Sequence, residues 1–389
     1  MSKIDDLIKE LCPDGVEFAY LDEVASLRRG SAITKKNIIP GDVPVVAGGQ
    51  KPAYFHSESN RGANTVVVAG SGAYAGFVSF WSVPIFVSDA FSIEPLGDEV
   101  ISKYIFYILK NRQTELHNLK RGSGVPHVYS RDVARWKIPV PPLEIQKEIV
   151  RVLDSFTELE AELEAELEAR KKQYEYYRNT LLTFGDSVVW KPMGEVGELI
   201  RGNGLQKKDF TEEGFPCIHY GQIYTYYGTF AKETKSFVSC SLAEKLVKAE
   251  CGDVIITNTS ENINDVGKAV AWCGNQAVVT GGHATVFKPK LVSGKYFVYY
   301  SQTGDFYKEK KRYAKGTKVI DVSTKDMSKI KIPVPSIEKQ KQIVFILDKF
   351  EKLTNDISVG LPAEIEARRK QYEYYRNKLL TFKELERSK

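Results

Sequence analysis

The sequence predicts an α+β protein built twice over: two blocks of mixed strands and helices, separated by two long helices that pair as an antiparallel coiled coil in a circular, pseudo-two-fold plan. Three observations predict this. The chain repeats itself at long range, the better-repeated parts carry a helical apolar period over about 40 residues, and the parts between them carry short β-branched runs broken by Gly, Asn, Ser and Pro. At 389 residues the chain also exceeds the usual size of a single hydrophobic core.

The repeat sets the boundaries. Ile138-Pro-Val-Pro141 recurs 194 residues on as Ile332-Pro-Val-Pro335, and Leu153-Asp154 with Phe156 recurs at the same offset as Leu347-Asp348 with Phe350. Gln173-Tyr-Glu-Tyr-Tyr-Arg-Asn179 returns unchanged as Gln371 to Asn377, an offset of 198, so four residues were gained in between. A fainter match runs upstream at an offset of 172: Glu23-Val24, Leu27, Arg29-Gly30, Pro44 and Gly49-Gln50 fall on Glu195-Val196, Leu199, Arg201-Gly202, Pro216 and Gly221-Gln222. Each half is thus one variable block followed by one shared segment. The predicted divisions are 1–143, a first block with a short opening helix at Lys3 to Leu11; 144–184, a first shared helix; 185–337, a second block; and 338–389, a second shared helix. At the 172 offset the opening helix falls on the end of the first shared segment, so the N-terminus is expected to pack where the second one finishes.

The blocks read as strands with turns, at Thr65-Val-Val-Val68, Phe77-Val78, Ile85-Phe-Val87, Val254-Ile-Ile-Thr257 and Ala277-Val-Val-Thr280, with helical pieces such as Ser102 to His117. The first shared segment places Ile145, Ile149, Val152, Phe156, Leu159, Leu163, Leu167, Tyr174, Tyr177, Leu181 and Phe184 at steps of mostly three and four, a stripe that needs a partner, and the second copy is the obvious one. Leu353, Ile357, Leu361 and Ile365 make one four-residue step more than Leu159, Leu163 and Leu167, which resembles a stutter. Gly360 and Pro362 predict a break near 360–362, with Pro362 restarting the helix.

Charge follows the same division. Residues 16–143 hold 14 Lys and Arg against 11 Asp and Glu, residues 188–337 hold 21 against 15, and residues 144–187 hold 6 against 11. Positive charge sits on the two blocks and negative charge on what joins them. Five scattered cysteines form no Cys-x-x-Cys pair, which predicts reduced thiols, and no metal site is expected. No run of about 18 apolar residues and no apolar leader is present, so a cytoplasmic protein off the membrane is expected. Gly70-Ser-Gly72-Ala-Tyr-Ala-Gly76 misses the dinucleotide-binding spacing by one residue and reads as a turn between strands; a phosphate-binding Gly-x-x-x-x-Gly-Lys-Ser/Thr is missing. His56, His117, His127, His219 and His283 show no local ligand spacing, and neither a common nuclease pattern nor the Asn/Asp-Pro-Pro of an amino-methyltransferase occurs. No catalytic residue is therefore predicted.

Two variable blocks, each ending in Ile-Pro-Val-Pro and a long helix that finishes Arg-Lys-Lys-Gln-Tyr-Glu-Tyr-Tyr-Arg-Asn at 170–179 or Arg-Arg-Lys-Gln-Tyr-Glu-Tyr-Tyr-Arg-Asn at 368–377, closely resemble the specificity subunit of a type I restriction-modification system. The resemblance covers nearly the whole chain. It implies that each block is a target recognition domain reading one half of a split double-stranded DNA sequence, and that the paired helices act as a ruler and hold two methyltransferase subunits. These partners would bring S-adenosylmethionine, with motor and nuclease subunits joining for cleavage.

Basic residues common to both blocks are expected to grip phosphate, and residues in differing loops to read bases. Arg29 and Arg201, with Lys35, Lys36, Lys207 and Lys208 just after them, form the first group. Asn60, Arg61 and Asn64 in one block, and Asn258, Asn262, Asn264 and Lys268 in the other, form the second, since Arg and Asn suit bidentate contacts to guanine and adenine. Lys120-Arg121 before Gly122, and a basic stretch including Lys315 and Lys318 around Gly316, suggest a backbone clamp on each block. Tyr174 and Tyr177 fall on the helix seam; Tyr176 and Tyr374 lie off it and are the candidate partner anchors. Two other classes fit parts of the sequence: a coiled-coil scaffold that binds only protein, which failure to bind DNA beside a methyltransferase would favour, and a self-contained DNA-modifying enzyme, which methylation or cleavage by the isolated chain would favour.

Overall fold

The computed structural model describes residues 3–122, 124–185, 188–356 and 358–386. The chain divides into two compact units, Met1–Glu162 with Ile365–Lys389, and Leu163–Glu364. Among the described residues no helix is long and apolar enough to cross a membrane.

The first unit is built on a four-stranded antiparallel sheet in the order Ala25–Arg29, Ala90–Pro95, Thr65–Ala69, Val78–Trp81. Every residue of Thr65–Ala69 is buried, which is why that strand reads as an unbroken β-branched run and not as an alternation. Val66 and Val68 share a core with Tyr104, Ile105 and Ile108 of the helix Ser102–Asn111, while Val67 packs with Val46 and Val87 of a second, three-stranded sheet and with Ile85 just before its strand Phe86–Val87. The second unit repeats the framework. Gly197–Arg201, Ala284–Pro289, Val254–Thr257 and Ala269–Trp272 stand in the same order, with Phe230–Ala231 added in parallel at the edge and a second sheet of four strands beside it.

Ile-Pro-Val-Pro has a structural reason in both copies. Lys137–Pro139 pairs with Phe18–Tyr20 and Lys331–Val334 with Val189–Pro192, two-stranded ribbons in which every strand is an edge and proline is tolerated. A fixed set of bonds then joins each block to the helix that follows. Lys103 Nζ lies 2.8 Å from an Asp154 carboxylate oxygen and Tyr107 donates its hydroxyl to the other; Lys295 Nζ and the Tyr299 hydroxyl meet Asp348 at 2.6 and 2.7 Å. Tyr104 and Tyr296 donate to the carbonyls of Pro139 and Pro333, each at 3.3 Å. Gln146 and Gln340, both buried, bond the carbonyls of Pro141 and Pro335 at 2.8 and 2.9 Å and accept from the backbone N–H of Ile101 and Ser293. Burial pushes all four phenols well above the usual tyrosine range, so they stay protonated donors.

The first shared segment is one helix, Leu143–Leu181, of 39 residues. The second is two, Ile337–Asn355 and Leu361–Leu379. Gly360 sits where a Cβ would come within 2.6 to 2.8 Å of the carbonyl oxygens of Lys352, Leu353 and Asp356, so only glycine lets the chain fold back over the end of the first helix before Pro362 enters the first turn of the next. Ile357 lies outside the described residues. In the first unit Phe156 stacks on Tyr375 and lies against Tyr372, with Glu160 ion-paired to Arg369 at 2.6 Å. In the second, Phe350 stacks on Tyr174 and Tyr177.

The opening helix Lys3–Leu11 buries Ile4 in the same core as Leu379 and Leu380, and Val16 is bonded through its N–H and carbonyl to Lys383 and Leu385. Lys3 meets Glu148 at 3.0 Å, and Arg151, more than Lys3, holds the Glu148 carboxyl down to about 2.

Candidate nucleic-acid interface

Arg29 and Arg201 are exposed and end matching strands. The glycine after each is forced by a close approach: a Cβ on Gly30 would lie 2.1 Å from the Ser88 carbonyl, and one on Gly202 2.3 Å from that of Gly281. The chain then turns through a single 3-10 turn in each unit, Lys35–Asn37 and Lys207–Asp209, and Lys35, Lys36, Lys207 and Lys208 are all exposed on it. Strand-end arginine, constrained glycine and a lysine-bearing turn therefore form one repeated device, suited to phosphate because its charge is presented on rigid backbone.

A second device also repeats. Arg121 and His127 exchange backbone hydrogen bonds at 3.0 and 2.8 Å, and Lys315 and Asp321 do so at 2.9 and 2.8 Å, closing a short loop in which Gly122 (φ +110°) and Gly316 (φ +103°) adopt backbone conformations that L side chains rarely reach. Arg121 is 3.4 Å from Asp132 and Lys315 2.9 Å from Asp326, whose carboxyl is held well below the usual range, by Lys329 first and then by Lys315 and Ser323. Lys318 is exposed, and Lys120 donates to the Ala73 carbonyl at 2.9 Å.

The residues expected to face bases divide sharply. Asn258 departs from that expectation: it is fully buried, donates to the Val322 carbonyl at 2.7 Å and accepts from the Thr285 hydroxyl at 2.9 Å. Asn60 spends its amide on both backbone groups of Val87, at 2.9 and 2.7 Å. Arg61 is turned inward, its side chain 8% exposed, bonded to the Ser92 hydroxyl at 2.6 Å and the carbonyls of Asn60 and Arg29 at 2.7 and 2.9 Å, and paired with Glu94 at 3.2 Å. Burial, with the Arg28 charge nearby, lowers its pKa from the usual arginine value. Asn60 and Arg61 thus hold the first block together, and Asn258 the second. Asn64 is exposed in a turn at φ +59°. Asn262 is exposed but closes its own turn onto Asp265, at 2.5 and 2.9 Å, and exposed Lys268 donates to the Tyr224 carbonyl at 3.3 Å. Asn264 is exposed, and its carbonyl accepts from Lys310 at 2.8 Å; that lysine is buried, which lowers its ammonium to about 8. Tyr176 and Tyr374 are 65% and 63% exposed, while Tyr174 is buried against Phe350. No group of three or more His, Cys, Asp or Glu placed to hold a metal occurs among the described residues.

A concavity accompanies the arginine device in each unit. In the first it is lined by Arg29, Asp89, His127, Tyr129 and Arg131; the second, beside Arg201, is lined by Lys207, His219, Tyr220 and His283.

The family model of the type I restriction modification DNA specificity domain matches residues 13–169 and again 187–367, one copy per half of the repeat. The chain belongs to the type I restriction-modification DNA specificity family. It is 35% identical over 302 residues to the Escherichia coli type I restriction enzyme EcoR124I/EcoR124II specificity subunit, covering 73% of this chain and 72% of that one. It is also 29% identical to a putative type I restriction enzyme specificity subunit of Haemophilus influenzae, across 94% of this chain and 96% of the relative. Among solved structures it resembles the S subunit of a type I restriction-modification system from M. genitalium, with a TM-score of 0.60, 20% identity and coverage of 94% and 96%. It also resembles a chain from a study of complex assembly and conformational transition of the type I system, with a TM-score of 0.59, 19% identity and coverage of 95% and 98%; at these identities the likeness is one of fold. In this member of the specificity family the bonds joining block to helix escaped sequence reasoning, although Lys103-Tyr-x-x-Tyr107 and Lys295-Tyr-x-x-Tyr299 repeat at an offset of 192 and a closer self-comparison contains them.

Proposed function

We propose that this chain reads a two-part sequence in double-stranded DNA, one part with residues 1–143 and the other with 185–337, and that 144–184 and 338–389 hold the two readers apart and carry two methyltransferase subunits. Membership of the DNA specificity family makes it a recognition component and not a catalyst. The observation that carries the two-part reading is the repeated arginine, glycine and dilysine device on one strand framework, set beside loops that differ. Common cationic groups suit phosphate, which is the same everywhere; differing loops suit two different half-sites.

Phe156 against Tyr372 and Tyr375, and Phe350 against Tyr174 and Tyr177, are the contacts expected of two copies of one helix running antiparallel, and support the coiled-coil pair. The bonds of Val16 to Lys383 and Leu385 support a circular plan in which the N-terminus completes the second shared segment. Exposed Tyr176 and Tyr374, at equivalent places in the two copies, are the proposed anchors for two like partners. S-adenosylmethionine enters with the methyltransferase, motor and nuclease subunits join for cleavage, and the assembly works in the cytoplasm. The test is to co-express the chain with its neighbouring methyltransferase in a host free of DNA methylation and map methylated adenines by single-molecule sequencing. A split motif with a fixed gap is expected; a stable complex that methylates nothing would overturn the proposal.

A further inference from the structure

One position in the repeated framework is the same in backbone and different in chemistry. Asp89 and His283 each immediately precede a matching strand, Ala90–Pro95 or Ala284–Pro289. The carbonyl of each accepts a hydrogen bond from the first residue after the neighbouring strand, Gly70 N–H to Asp89 at 3.1 Å and Asn258 N–H to His283 at 2.8 Å. Those two residues in turn accept from Val128 and Val322, at 3.0 and 2.9 Å. Each side chain is exposed, and each is held by a hydroxyl from the same place: Ser71 donates to one Asp89 carboxylate oxygen, and the Thr259 hydroxyl lies 3.0 Å from His283 Nδ1. Beyond that one hydroxyl contact, each side chain keeps an exposed outer edge.

From this the geometry points to Asp89 and His283 as matched base-reading residues, one for each half-site, a role that rests on the DNA-reading function proposed above. A carboxylate beside Arg29 and Arg131 is repelled by phosphate and gains only where DNA offers a donor. In the major groove those donors are the amino groups of cytosine and adenine, so Asp89 selects one of these bases through the oxygen that Ser71 leaves open. His283 has the opposite preference. We assign the Thr259 hydroxyl as donor to Nδ1; the ring proton then resides on Nε2, which donates to N7 or O6 of guanine. The ring of Tyr220, 4.8 Å from that of His283, limits how the imidazole can turn. The same hydroxyl-held pedestal thus presents an acceptor in one unit and a donor in the other.

The experiment is methylation mapping of Asp89→Asn and His283→Asn beside the unaltered chain, each co-expressed with the methyltransferase and checked for complex assembly by size-exclusion chromatography. A split motif from the unaltered chain is the control: without it the functional reading itself fails. Given that motif, Asp89→Asn is expected to change base preference roughly ten- to hundredfold at one position of one half-site. His283→Asn should do the same in the other half-site, with the gap and the remaining positions unchanged. An unaltered motif in both variants would overturn the assignment while the function stands. Uniform loss of methylation with assembly intact would overturn it too, by making these residues part of the general grip, and loss of assembly would do so by making them structural.

Discussion

At the scale of single residues, an identical letter serves opposite ends. Asn64 and Asn258 both look like polar side chains between strands, yet one is exposed in a turn at φ +59° and the other is sealed in the core. What separates them is a partner 64 positions away in the chain, the Val322 carbonyl, which no local pattern reveals. Asn258→Ala is expected to leave the buried Val322 carbonyl without its side-chain donor, the Thr285 hydroxyl keeping Thr324, and to cost about 1–3 kcal/mol, measurable as a lower denaturation midpoint, with the methylated motif unchanged. A variant of full stability and altered motif would show that Asn258 does reach DNA. Arg61 was hidden for a similar reason: a guanidinium reads as a surface group in sequence, and only the gathering of Ser92, Glu94 and two carbonyls around it turns it inward.

At the scale of elements, the sequence was far more legible, because period and punctuation act on the backbone directly. The opening helix Lys3–Leu11, the long helix, the buried strands Thr65–Ala69 and Val254–Thr257 and the interruption at Gly360 all follow from apolar spacing or from glycine and proline. The small strands Val43–Val46 and Tyr54–His56 did not stand out, being short and, in the first case, interrupted by Pro44. The long helix also invites a direct manipulation. Inserting one Glu-Leu-Glu-Ala unit after Ala165 adds four residues, ~6 Å of helix, away from the stacks on Phe156 in one unit and on Tyr174 in the other. The gap between half-sites is expected to grow by about one or two base pairs with both half-sites retained, as read from methylation maps; an unchanged gap would remove the ruler role.

At the scale of the whole molecule, a net charge of only +5 is less informative than its division between basic blocks and an acidic link. If Arg29 and Arg201 serve phosphate, replacing either by alanine should weaken binding by the assembled complex about equally on matching and mismatched DNA, and lower the slope of log affinity against log salt by about 1. Titrations between 50 and 200 mM salt measure this, and a loss confined to the matching sequence would assign the arginines to base readout instead. The bonds that tie each block to its helix lead to a different kind of consequence. Asp154 and Asp348, Gln146 and Gln340, and the carbonyls of Pro139 and Pro333 are one socket made twice, and Lys-Tyr-x-x-Tyr is the matching plug. A block that carries the plug meets familiar partners in either socket, whatever its outer loops contain. Gene shuffling that swaps whole blocks therefore leaves the joint intact, and a lineage can acquire a new pair of recognised words in one event without first passing through a broken protein.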